Sequence, residues 1–393
     1  MQAVGLITEY NPFHNGHKYH VQQAKAVSGA DVVVAVMSGN YVQRGEPAVF
    51  DKWDRTQLAL AGGVNLLAEL PFAFAVQPAH IFAMGAVRLL ADMGVSSIVF
   101  GAEHATLDFL AIAKQAQAAL NDTQNFTGDY SQTYATQFND VVETIVGFRI
   151  DHPNDLLGLA YAQAVLALNL ESKVRLLPIQ RQQAQYHDQT LNTANDIASA
   201  TALRRQATTT DHAVLKRFMS DEGALLLTQG PAVKSFDTVW LAALLYKVKT
   251  TPVDELEKIY QLNDGLAYRL HALIERHDYT TMTELLTDFK SKRYTQSRLQ
   301  RSLLYTILNV THVEMQTALQ QPYIRFLGMD QLGRKYVKQQ RDQFTLPVIN
   351  RVSQDEINGI LKLDYRAGAL YHYFEKTPGA VQDTGRIPVY YER

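Results

Sequence analysis

Gly5-Leu-Ile-Thr-Glu-Tyr-Asn-Pro-Phe-His-Asn-Gly-His17 is the stretch from which the rest of the chain is read. Ala3 to Ile7 is short and apolar, the pattern of a buried strand. Asn11-Pro12 ends it, because proline fixes its own φ and drives the residue before it out of the helical region. Gly16 has no Cβ, so the backbone there can approach a ligand closely. From His17 onward Val21, Ala24 and Val27 recur at helical spacing, which predicts a helix beginning beside the second histidine. A strand, a tight turn and a helix N-terminus make an anion site, with free N–H groups at a positive dipole end. Two imidazoles three residues apart at that end suit a triphosphate. One rival is a turn with two exposed histidines. Another is zinc, since His14, His17 and His20 are evenly spaced. No Glu follows His14 as in H-E-x-x-H and the chain has no cysteine, so no metal site is expected.

The next segments repeat the strand–helix alternation. Asp31-Val-Val-Val-Ala-Val-Met37 is continuously apolar, as a parallel strand buried on both faces should be. Asn65-Leu-Leu-Ala-Glu-Leu70, Ser96-Ser-Ile-Val-Phe100 and the segment from Lys173 to Ile179 predict three more strands. Helices are predicted from Asp51, a plausible N-cap, from about Pro78 to Met93, and from Asn154 to Leu168, the last strongly amphipathic. Such spacing predicts an α/β fold, a Rossmann-like parallel sheet with its functional loops at the carboxyl ends of the strands. Residues 108–150 are polar and helical, an expected insertion. A polar loop through His187 and Asp188 precedes Ile197-Ala-Ser-Ala-Thr-Ala-Leu-Arg204. Beyond about residue 206 strand signals fade, apart from one candidate near Pro322 to Met329. The expected division is therefore 1–205, a nucleotide-activating domain, and 206–393, mainly helical.

Tyr10-Asn-Pro-Phe-His-Asn-Gly-His17 resembles the (F/Y)-(N/D)-P-x-H-x-G-H signature of the nucleotidylyltransferase superfamily. That resemblance implies that His14 and His17 contact nucleotide phosphates and stabilise charge as the α-phosphate is attacked. Ser199-Ala-Thr201 before Arg204 resembles the superfamily's I-S-S-T-x-I-R segment, which implies a phosphate role for Ser199 and Thr201; Ala200 and Ala202 depart from the commoner wording. Arg44, at the end of an early strand, is a candidate to neutralise a leaving pyrophosphate. Lys52 and Arg55 are either partners in that task or a solvated helix face pairing with Asp51 and Asp54.

The composition, 47% hydrophobic and 19% charged with no cysteine, is that of a globular protein without disulfides, thiolate metal sites or a cysteine thioester. No run of about eighteen apolar residues occurs and no secretory leader pattern opens the sequence, so a soluble, cytoplasmic protein without membrane contact is expected. The net charge of −2 conceals an asymmetry. Residues 1–200 carry 11 Lys and Arg against 18 Asp and Glu, and residues 201–393 carry 26 against 21. A basic half joined to an acidic one points to a polyanionic partner. Its densest cationic stretch is Lys290-Ser-Lys-Arg-Tyr-Thr-Gln-Ser-Arg-Leu-Gln-Arg301, with Tyr294 available to stack on a base.

The N-terminal signature together with Val36-Met-Ser-Gly39, Gln43-Arg-Gly-Glu-Pro-Ala48, Lys292-Arg-Tyr-Thr295 and Tyr323-Ile-Arg-Phe-Leu-Gly-Met329 resembles the bacterial tRNA(Met) cytidine acetate ligase family over nearly the whole chain. The resemblance implies ATP and acetate as substrates, acetyl-adenylate as intermediate, and the wobble cytidine of elongator tRNA(Met) as acetyl acceptor. Carried over by position, the ATP site comprises Ile7, Thr8, Glu9, Tyr10, Asn11, Pro12, Phe13, His14, Asn15, Gly16, His17, Lys18, Tyr19 and His20, then Gly101, Asn154 and Arg181. Asp155 is the alternative to Asn154. Mg2+ would be held mainly by the phosphates, and Lys290, Lys292, Arg293, Arg298 and Arg301 would meet tRNA. Two other readings stand beside this one: an adenylyltransferase that makes a small nucleotide cofactor, and a non-catalytic RNA-binding protein that senses ATP. The oligomeric state stays open.

Overall fold

The computed structural model describes residues 1–121, 134–181, 196–206, 211–229, 238–291, 293–374 and 381–392. His187, Asp188 and Lys292 lie outside the described residues. β2 (Val32–Ser38) is buried along its whole length and sits in the middle of a seven-stranded sheet, whose order is β5 (Arg175–Gln180), β4 (Ser97–Ala102), β1 (Ala3–Thr8), β2, β3 (Leu66–Leu70), β6 (Phe326–Asp330), β7 (Val389–Tyr391). β1, β2, β3, β4 and β5 are parallel, with Leu6 opposite Ala35. Successive side chains of β2 enter opposite cores. Val32, Val34 and Val36 pack towards α4 (Ala79–Asp92) and α7 (Pro153–Ala167), whereas Val33, Ala35 and Met37 pack towards α1 (Asn15–Ser28) and α2 (Lys52–Ala61). Both faces are covered, so the strand must be apolar throughout.

Three expectations need correction. The first helix begins at Asn15 rather than His17, because His14 itself is the N-cap. α7 has no single apolar stripe. It lies against α4, α5 (Phe109–Asn121) and the sheet, and most of its circumference is buried. The sheet also crosses the expected division at residue 206. β6 (Phe326–Asp330) runs antiparallel beside β3, and β7 (Val389–Tyr391) lies parallel beyond it.

Helices between Val239 and Phe374 surround a third core containing Trp240, Leu270, Phe289 and Leu304. Tyr41, from the loop after β2, and Phe72, which opens the short helix α3 (Phe72–Ala75) after β3, insert into that core. Gln300 donates to Glu46 at 2.9 Å, and Tyr371 donates its hydroxyl to Ala48 O at 2.9 Å. The helical part therefore fixes the loop after β2 from above. Among the described residues no helix is long and apolar enough to cross a membrane.

Candidate active site

At the N-terminus of α1 the two histidines cap the helix jointly. Gly16 N–H donates to His14 Nδ1 at 3.0 Å, and His14 N–H donates to His17 Nδ1 at 3.3 Å. With both Nδ1 atoms accepting, each neutral ring carries its proton on Nε2. The ring centroids are 3.9 Å apart. Gly16 is required by the cap, since a Cβ there would stand 2.8 Å from His14 Cε1. Burial first, then Arg181 and Arg204, lowers the His14 pKa to about 3. Burial first, with His14 and His20 next, holds His17 well below the ordinary value. Near neutral pH the pair therefore offers two uncharged N–H donors.

His20, one turn further on, donates Nε2–H to Val99 O at 3.1 Å, and burial lowers its pKa to about 4. The unfolded chain binds a proton at His20 below about pH 6.5 while the folded chain stays neutral to about pH 4, so His20 costs stability as pH falls through that window. Replacing His20 with Gln, whose amide can also donate to Val99 O, should flatten stability against pH by up to about 1.4 kcal/mol per unit. Denaturant melts of both proteins at pH 7, 6 and 5 check this. Parallel pH profiles would refute it.

A cleft of about 530 Å³ opens beside this pair at the carboxyl ends of β1 and β4, a size suited to a nucleotide. Ile7, Thr8, Glu9, Tyr10, Asn11, His14, Gly16, His17, Tyr19 and His20 line it, with Gly101, Asn154, Arg181, Ser199 and Thr201. Four residues of the expected set do not line it. Lys18 is exposed, and Pro12 and Phe13 are buried. Asn15 donates its amide to Asp196 O at 2.9 Å and Arg217 O at 2.8 Å, anchoring α1 to two later segments.

The side chains of Asn154 and Asp155 go to different places. Asp155 is fully buried, and its carboxylate accepts from Glu103 N, His104 N and, at 2.7 Å, from His104 Nδ1. Asn154 lines the cleft and donates to Glu103 Oε1 at 2.6 Å. Glu103 also lies 3.9 Å from Arg181 Nε, so one carboxylate sets two cleft residues. Glu103 is not singled out by the sequence. Its partner lies 51 positions away, and no local pattern marks it.

Arg204, Arg205 and Arg44 complete the rim. Arg204 donates to Asn11 O at 2.5 Å and to Thr201 Oγ1 at 3.3 Å, tying α8 (Ala200–Gln206) to the signature turn. Lys52 and Arg55 do not line the cleft, and neither belongs to a solvated face. Arg55 is fully buried and donates to the carbonyls of Phe50, Glu9, Ser38 and Gly39, joining the ends of β1 and β2. Lys52 Nζ lies 2.8 Å from Glu69 and 2.7 Å from Asp383, and Arg325 bridges the same two carboxylates at 3.2 and 2.6 Å.

The cationic stretch is dispersed. Lys290 and Arg293 are exposed. Arg298 is partly buried, 3.9 Å from Asp264, with its guanidinium over the Tyr294 ring at 4.3 Å. Tyr294 is itself buried, and Arg293 lies over the same ring at 5.3 Å. Arg301 is buried beneath the Gly45 turn beside Tyr305, because its helix (Gln296–Ile307) packs on the loop after β2.

The family model described as HIGH Nucleotidyl Transferase matches residues 1–384. The tRNA(Met) cytidine acetate ligase of Leuconostoc mesenteroides subsp. mesenteroides is 44% identical over 394 residues, covering 100% of both chains. That of Limosilactobacillus reuteri is 42% identical over 399 residues, covering 99% of each. Crystal structures of Thermotoga maritima TmcAL superpose over 100% of both chains. The apo form I has a TM-score of 0.87 at 27% identity, and form II, bound with alpha-thio ATP, has 0.84 at 26%. A paired-histidine helix start on a parallel sheet and likeness over the full length agree: the chain belongs to the HIGH nucleotidyl transferase family and, within it, to the tRNA(Met) cytidine acetate ligases.

Proposed function

We propose that the chain activates acetate with ATP as acetyl-adenylate and then acetylates the exocyclic amine of the wobble cytidine of elongator tRNA(Met). The observation that carries this is the pair of uncharged Nε2–H donors, fixed by two backbone N–H groups at a helix N-terminus inside a nucleotide-sized cleft. Donors of this kind stabilise charge that develops on the α-phosphate without reorganising. Ser199, Thr201 and Arg204 face the same space and suit the departing pyrophosphate. Gly101, Asn154 and Arg181 lie at the ends of β4, α7 and β5, where a ribose and adenine would fit. Among the described residues no three His, Asp or Glu side chains group to hold a metal, so Mg2+ would take its ligands mainly from phosphate oxygens and neutralise their charge. The wobble base already lies in a loop, so presenting it costs little unstacking, and a tRNA substrate places the reaction in the cytoplasm.

Exchange of labelled pyrophosphate into ATP should require acetate and no tRNA, and acetyl-CoA should not replace acetate plus ATP in the full reaction. In the same assay, Lys290→Ala with Arg293→Ala should leave exchange intact, since neither lines the cleft. It should weaken tRNA binding and reduce the salt slope by about 1 to 2, as fewer counterions are released. Exchange that demands a nucleotide or phosphorylated cofactor precursor in place of acetate would favour the small-cofactor adenylyltransferase. ATP binding with no exchange would favour the RNA-binding sensor. Unchanged tRNA affinity and slope would remove these two cations from the interface.

A further inference from the structure

The cleft has two chemically different walls. On the α1 side stand His14, His17, Ser199, Thr201 and Arg204. On the α4–α7 side stand Ile7, Phe82, Phe100, Leu157 and Tyr161, which belong to the core beneath that face or pack on it. Helical spacing builds much of this second wall. Asn154, Leu157 and Tyr161 fall at i, i+3 and i+7 of α7, one stripe that passes from polar to apolar. Phe82 comes from the first turn of α4. Phe100, on β4, meets Tyr161 edge to face with ring centroids 5.5 Å apart. Gly158 makes room for it, since a Cβ there would stand 2.6 Å from Phe100 Cε2. Glu9 follows β1 at the same end of the sheet, and its Oε1 accepts from Gln43 N at 2.7 Å.

An in-line displacement puts the attacking oxygen and the departing pyrophosphate on opposite sides of the α-phosphorus. If the histidine and arginine wall receives the pyrophosphate, the acid must come from the opposite wall. We infer that the chamber between Ile7, Phe82, Phe100, Leu157 and Tyr161, beside Glu9, is the acetate subsite, and that these side chains set the length of acid accepted. This rests on the acetate-activating reading above and assigns residues to the acid. The methyl group, which has no polar partner to lose, lies against the apolar wall, and the carboxylate faces the α-phosphate. One acetate oxygen forms a bond to the α-phosphorus as the bond from phosphorus to the bridging oxygen breaks. Pyrophosphate leaves with that electron pair, and no oxidant or net proton transfer is needed. Glu9 does not oppose this arrangement. Burial holds its carboxyl above the usual range, against the opposing pull of Gln43 N–H, Arg204, Arg44 and Arg55. That upward shift lessens the repulsion between the Glu9 carboxyl and the acetate carboxylate.

The test is acid-dependent ATP–pyrophosphate exchange with acetate, propionate and butyrate on the intact protein. The wild type should prefer acetate. Leu157→Ala should raise the butyrate-to-acetate ratio of kcat/KM about ten- to a hundredfold, and Phe82→Leu should move it the same way by less. The KM for ATP should stay within about twofold, and stabilisation by ATP in a thermal melt confirms that each variant folds. Leu157→Phe should do the converse, raising the acetate KM while ATP still binds. An unchanged acid profile in active Leu157→Ala and Phe82→Leu proteins overturns the subsite alone. Absence of acetate-dependent exchange in the wild type overturns the activation reading, and the subsite falls with it.

Discussion

His14→Ala and His17→Ala should each lower acetate-dependent turnover by about 10²- to 10³-fold, the scale of losing one preorganised donor to a developing oxyanion. ATP affinity should fall far less, because such donors would act most strongly on charge that exists only in the transition state. Alanine at position 14 also removes the N-cap of α1, which costs about 1 kcal/mol in stability. His14→Asn separates the two effects. Its short amide can accept from Gly16 N and so preserve the cap, but it cannot reach where imidazole Nε2–H reaches. Thermal stability should therefore return towards wild type in the Asn variant while turnover stays low. Near-normal turnover in the Asn variant would leave His14 with a capping role only.

That double use of one imidazole marks the limit of what the sequence discloses. The strand, the turn and the helix were legible from Ala3 to Val27, because apolar spacing and Asn11-Pro12 are local signals. The five parallel strands were legible for the same reason, and they bring the signature turn, Gly101, Asn154 and Arg181 to one cleft. The cap was not legible, since histidine is an uncommon N-cap and its role depends on a ring orientation that no spacing encodes. Lys52 and Arg55 show the same limit at longer range. Their neighbours in sequence are Asp51 and Asp54, which invites a local pairing. Their partners in space include Glu69, Asp383 and the carbonyls of Glu9 and Ser38. Asp51 is occupied instead in capping α2.

Lys52→Met should destabilise the protein by about 3–5 kcal/mol, measured by urea unfolding, because it leaves two carboxylates facing one guanidinium inside the core. In the wild type Lys52 and Arg325 balance Glu69 and Asp383, all four of them buried. Asp364 stands near the same charges, and burial first, with Glu69 next, pushes its pKa up to about 7. Removing Lys52 withdraws a cation that holds that value down. Adding Glu69→Gln to Lys52→Met restores neutrality and should recover about 1–3 kcal/mol, a coupling expected of direct contacts. Pyrophosphate exchange per folded molecule should stay near wild type, the reverse of what a lysine touching the leaving group would give. A loss below about 1 kcal/mol would mean that water or rearrangement offsets the missing charge.

The antiparallel insertion of β6 beside β3 has a consequence for synthesis on the ribosome. Strands β1 to β5 emerge early, yet β3 keeps an open hydrogen-bonding edge until the segment carrying Phe326 to Asp330 has left the exit tunnel. Glu69 on that strand waits equally long for Arg325, and the four-charge cluster closes only when Asp383 arrives. An exposed parallel edge with unpaired carbonyls is prone to join other chains. On the ribosome the β3 edge therefore stays unpaired until β6 docks, and the later helices deliver both the strand and the arginine that close it.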